Sequence, residues 1–128
     1  MSRRYYEWSM VVLRVALGVI FLCHGLQKVT GFAGTVKFFS SVGMPIMFVY
    51  VVTFIEVIGG VCLILGLFTR LAATAISLLM LGSIPTVLHM GKGFISGYDF
   101  NISLLAIAVA LILSGSNTLS LGNRLLKR

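Results

Sequence analysis

Seven ionisable or polar side chains sit inside, or at the ends of, long apolar runs, and they define the chemistry open to this chain. His24, Gln27 and Lys28 close the first run, with His24 and Lys28 one helical turn apart. Arg14 lies within that run, and Glu56 lies near the middle of the second. His89 ends the third run, and Asp99, preceded by Tyr98, opens the fourth. Imidazole, amide and ammonium groups at one level could donate hydrogen bonds to the carbonyl oxygens of a quinone-like head group. Neutral imidazole is also a haem ligand, but His24 and His89 are the only candidate pair and nothing in the spacing makes their rings face each other. Haem is therefore the weaker expectation. The plainest alternative is that these groups snorkel to a membrane surface.

Arg14 and Glu56 raise a sharper problem. Each costs about 2.5–3.5 kcal/mol if left alone in a membrane span. The expectation is that they face each other, or share water, as a buried polar centre in the bundle interior. Such a pair could serve only to fix helix register, or it could serve a proton or a ligand. Arg14, Gly18, Phe21, Gly25 and Lys28 fall on one helical stripe, and Glu56, Gly60 and Leu63 share a face with Gly59 beside it. Small residues let helix backbones approach closely, so the charged stripe and the packing stripe coincide.

The elements that must hold these groups follow from composition. Of the 128 residues, 59% are hydrophobic and only 10% charged, against about 25% charged in a soluble domain. Four spans are expected, at about 8–28, 45–67, 70–89 and 99–115. The fold class is thus an all-α membrane protein, a single-domain bundle of four transmembrane helices. The spans at 45–67 and 70–89 are joined so tightly that they must form an antiparallel hairpin. Between the first two spans, Phe32, Val36 and Phe39 recur at i, i+4 and i+7, which predicts a short interfacial helix. "MGKGFISGY" reads as a mobile loop, and Asp99 or Asn101 could cap the last helix. Tyr50, Lys92 and Tyr98 are expected at the same outer level as His24 and His89.

The net charge of +7 comes from basic residues placed between and beside apolar runs. That pattern fits membrane topology and anionic lipid rather than nucleic acid. Arg3, Arg4, Arg70, Arg124, Lys127 and Arg128 lie on one side, against Lys28, Lys37 and Lys92 on the other. The positive-inside rule then puts both termini in the cytoplasm. Arg14 interrupts the first apolar run and no small-x-small cleavage site follows, so that run reads as a retained helix. Cys23 and Cys62 differ in depth by roughly 15–20 Å, too far for a disulfide. No metal-binding, flavin, haem or iron–sulfur motif is present.

In combination these residues resemble the DoxX family of small bacterial and archaeal membrane proteins. The resemblance is carried by "LRVALGVIFLCHGLQKVTGF", "FFSSVGMP" and "IEVIGGVCLILGLFTRLAA", and it extends over about residues 12–113. It implies a four-helix bundle in a prokaryotic cytoplasmic membrane and a link to quinone- and thiol-dependent redox systems. Arg14, His24, Lys28, Glu56 and Arg70 match the family's polar pattern, while His89 and Asp99 fall in its more variable half. The chain lacks the soluble domain of fused relatives, which puts self-sufficient catalysis in doubt.

The expectation is an integral membrane redox subunit that holds a quinone or similar apolar molecule near His24, Gln27, Lys28, His89 and Asp99. A soluble redox enzyme would exchange the electrons, and self-association stays open. The competing reading is a non-catalytic assembly, lipid-binding or small transport protein whose Arg14 and Glu56 are structural.

Overall fold

The computed structural model describes residues 3–114. The expected basic tail, with Arg124, Lys127 and Arg128, lies outside the described residues. The order is α1 (Arg3–Thr30), α2 (Phe32–Ser41), α3 (Ile46–Leu65), α4 (Thr69–His89), a π-helical turn (Phe94–Tyr98) and α5 (Asp99–Ser114). The short helix expected between the first two spans is α2. The segment read as a mobile loop contains the π turn, whose end runs directly into α5.

Three helices, α1, α3 and α4, are long and apolar enough to cross a membrane. α5 is apolar but has only 16 residues, so four full spans are more than length alone supports. At 1.5 Å per residue, α5 reaches about 24 Å, short of the roughly 30 Å hydrocarbon core.

Each boundary has a local cause. Gly66 takes the left-handed conformation (φ 76°) that closes α3, and the Leu67 amide donates to the Cys62 carbonyl. Phe68 is also left-handed (φ 48°), a conformation that costs a bulky residue about 1–2 kcal/mol. These residues reverse the chain between α3 and α4 within three positions, as the hairpin required. Pro45 stands as the N-cap of α3, just outside the helix. Pro85 has no N–H, which leaves the Leu81 carbonyl without its usual helical donor.

α1 packs antiparallel on α3 through glycines. A Cβ on Gly60 would stand 2.7 Å from the Gly18 carbonyl oxygen and 2.7 Å from the Leu22 nitrogen. A Cβ on Gly25 would stand 2.9 Å from the Val57 nitrogen. Only glycine permits backbones this close, as the stripes on both helices predicted.

The core lies toward the end of the bundle that carries the α3–α4 turn. Leu17, Phe21, Leu63, Ala73, Ile76, Ala108 and Leu111 are essentially inaccessible there. Large apolar side chains such as Val12, Phe54, Leu71, Leu78 and Leu113 point outward on every helix of the bundle. An exposed apolar surface of this extent suits lipid, not water.

Candidate functional site: a cleft beside a buried ion pair

At the other end of the bundle, α3 and α4 separate. A cavity of about 830 Å³ fills the space, bounded by the end of α1, α2, the first half of α3 and the second half of α4. Its volume falls within the range of about 300–1,000 Å³ usual for small-molecule sites. The lining is mostly apolar, including Phe38, Phe39, Val42, Phe48, Val52 and Leu79. The polar contributions are Gln27, Lys28, Thr35, Glu56, Ser83 and Thr86.

Lys28 Nζ lies 2.8 Å from Glu56 Oε1. Glu56 is buried and Lys28 is partly exposed. The ammonium and the carboxylate form an ion pair across the α1–α3 contact. Thr53 Oγ1, one turn before Glu56, is buried without a hydrogen-bond partner among the described residues.

Glu56 therefore pairs with Lys28, and not with Arg14 as the stripe suggested. Helix direction gives the reason. Side chains tilt toward the N-terminus of their own helix. Lys28 tilts back down α1 toward the bundle centre, and Glu56, on the antiparallel helix, tilts up to meet it. Arg14 tilts the same way as Lys28, toward the N-terminal end of α1, and so away from Glu56. It lies 11 residues below Gly25, which packs against Val57 and Glu56, so about 16 Å of helix separates Arg14 from the Glu56 level. Arg14 is nonetheless buried, as is Thr69 at the start of α4.

The outer polar layer expected from sequence divides. Gln27 and Lys28 line the cleft, but His24, His89 and Asp99 do not. The His24 ring turns to the α5 side. It lies 6.1 Å from the Phe100 ring and 6.4 Å from that of Phe21, and its Nδ1 donates to the Ile20 carbonyl at 2.8 Å. His89 is exposed at the end of α4, and no ring contact joins it to His24 among the described residues. Asp99 Oδ1 accepts from the Phe100 amide at the start of α5. Tyr50 is exposed against Phe32, and Tyr98 packs on Phe94, so neither reaches the cleft. Both cysteines are free.

One polar contact was not anticipated. Asn101 is buried and donates from Nδ2 to Ser83 Oγ on α4, while Ser83 donates to the Met80 carbonyl. The available signal was that both are polar residues in apolar helices flanking one loop. Asn101 is thus an interhelical contact and not a helix cap.

A family model described as DoxX matches residues 9–89. The chain belongs to the DoxX family. The matched segment contains every residue lining the cleft. Among similar DoxX-like proteins is "Putative oxidoreductase CatD" of Bacillus subtilis (strain 168). It is 40% identical over 116 residues, which span 91% of this chain and 86% of that protein. "Inner membrane protein YphA" of Escherichia coli (strain K12) is 27% identical over 94% of this chain and 97% of its own length. "Inner membrane protein YqjF" of the same organism is 31% identical over 56% of this chain and 55% of its own. No solved structure matches the chain.

Proposed function

We propose that this chain is the membrane subunit of a redox system and holds a quinone, or a similar apolar aromatic molecule, in the cleft beside Lys28 and Glu56. The observation that carries this reading is the Lys28–Glu56 ion pair on the wall of a mostly apolar cavity of about 830 Å³ within a bundle of membrane helices. Such a space takes a flat apolar ring and fixes its orientation through a few polar atoms. Lys28 and Gln27 supply donors for a ring carbonyl, and Glu56 supplies an acceptor for a ring hydroxyl.

Reduction of a quinone to its quinol takes up two electrons and two protons. The electrons would come from a soluble oxidoreductase partner. The name carried by the Bacillus relative, "Putative oxidoreductase CatD", supports redox work. The names of the Escherichia relatives support residence in the inner membrane. In this reading α5 completes a fourth crossing by packing on α4 and α1, and the arginine-rich side, with both termini, faces the cytoplasm.

Titration of the purified protein with a water-soluble quinone analogue tests the reading. Saturable binding that Lys28→Met weakens by about tenfold supports it. The absence of binding by the wild-type protein would sink it and leave the ion pair a purely structural element of a non-catalytic membrane protein.

A further inference from the structure

We propose that the cleft opens sideways into the bilayer between α3 and α4. Its ligand is then a membrane-dissolved amphiphile whose head reaches Lys28 and Glu56 while a long apolar tail stays in lipid. This rests on the reading of the cleft as a ligand site and adds the route of access and the shape of the ligand.

Depth is the first observation. Glu56 is ten residues from the start of α3, and Leu78 is nine residues from the start of α4. At 1.5 Å per residue these lie about 15 and 14 Å along their helices, close to half of the roughly 30 Å hydrocarbon core. The charged wall is therefore near mid-membrane.

The rim is the second. Leu78 and Phe48 both line the cleft, yet they are 65% and 51% exposed. A side chain that both lines a cavity and faces outward marks its mouth. At the depth of Leu78, the surroundings are hydrocarbon rather than water. Gly82 lies one turn beyond Leu78, also lines the cleft, and has open space where a side chain would project.

The third is the shape of the α3–α4 hairpin. Near its turn the two helices touch, with a Cβ on Gly59 falling 3.5 Å from Ile76 Cδ1. Beyond that contact they part around the cleft. At the headgroup end α2 covers the cleft only in part: Phe39 is buried, whereas Phe38 is exposed and lines it. The opening at Leu78 and Gly82, at mid-depth, is lateral. A ligand that arrived from water would have to pass aromatic side chains of α2, while one dissolved in the bilayer meets an apolar mouth at its own depth.

The test uses the full-length protein in nanodiscs of defined phospholipid. Two probes share one ring: a quinone with several isoprenoid units, and the same quinone with a methyl group in their place. Both are compared at equal mole fraction in the bilayer, so that partitioning cancels. The wild-type protein binds both with similar affinity. Leu78→Trp and Gly82→Leu each narrow the mouth and weaken the tailed quinone by about tenfold or more. The methyl quinone, which fits wholly inside, weakens by less than about threefold. Leu71→Trp, on an exposed α4 position outside the cleft, changes neither. Gly82→Leu has room to fold, so it stands as the decisive variant if Leu78→Trp misfolds. If the methyl quinone binds but the tailed one is rejected, or if both mouth variants leave the tailed one unaffected, the lateral opening is wrong while the quinone reading survives. Failure of the wild-type protein to bind either probe overturns both.

Discussion

Lys28 Nζ and Glu56 Oε1 stand 2.8 Å apart across the α1–α3 contact, near the middle of α3 and at the wall of the cleft. The two residues converge because antiparallel helices aim their side chains at one another from opposite directions. Removing one partner leaves the other as an isolated charge in an apolar wall. For fully buried pairs this costs about 3–5 kcal/mol. Lys28 keeps some exposure, so Lys28→Met should destabilise the folded protein by about 2–3 kcal/mol. Glu56→Gln should cost less, because the ammonium group left behind can snorkel. The double variant Lys28→Met/Glu56→Gln should be more stable than Lys28→Met alone. Denaturation in mixed detergent micelles measures all three, and strictly additive losses would show that the pair has no coupling.

The glycine contact sets the second prediction. Gly60→Ala pushes a methyl group onto the Gly18 carbonyl and the Leu22 nitrogen, and backbone atoms cannot rotate out of the way. Overpacking of this kind costs about 1–3 kcal/mol. Gly34→Ala on α2 meets nothing within 4 Å and should be neutral or stabilising by about 0.5–1 kcal/mol through helix propensity. Thermal unfolding in detergent should rank Gly60→Ala below wild type and Gly34→Ala at or above it. Equal losses in the two variants would contradict the close approach of α1 and α3.

The Asn101–Ser83 contact sets the third. Hydrogen bonds between membrane helices average about 0.6 kcal/mol, with a maximum near 1.7. Ser83→Ala should therefore cost about 0.6–1.7 kcal/mol, a smaller loss than Lys28→Met. Asn101→Leu should cost less when Ser83 is already alanine than when it is serine. A coupling of zero in that double-mutant cycle would mean that the two side chains stabilise their helices independently.

Much of this arrangement is readable before any coordinates. The four apolar segments, the Gly66–Phe68 reversal and the α2 stripe follow from hydropathy, chain punctuation and helical period. Helical period also identifies the face of α1 that packs on α3, since Gly18, Gly25 and Lys28 all appear on it. Period says nothing of axial register. Arg14 and Lys28 lie on the same stripe, and only the meshing of Gly18 and Gly25 with α3 decides which of them reaches Glu56. His24 illustrates the same gap around the helix axis. It precedes Gly25 by one residue, a rotation of about 100° on a helix with 3.6 residues per turn, which carries its ring off the α3 face and onto Phe100 of α5. The cleft itself is invisible to composition, because it depends on how far α3 and α4 part beyond Gly59.

That rotation makes His24 the sharpest discriminator between snorkelling, packing and ligand binding. Its Nδ1 is engaged with the Ile20 carbonyl and its ring lies against Phe21 and Phe100, so the imidazole packs α1 against α5 from outside the cleft. His24→Ala removes those ring contacts, which are worth about 0.5–1.5 kcal/mol each where geometry is favourable. Stability should fall by about that amount, and His24→Phe should restore most of it because a ring is all the contact requires. Quinone affinity should stay within about threefold of wild type in both variants, whereas Gln27→Leu, which alters the cleft wall itself, should weaken binding by about threefold to tenfold. Binding isotherms beside melting curves separate the two effects. A His24→Phe protein that is as stable as wild type yet loses quinone affinity would return the imidazole to the site and overturn its assignment to packing.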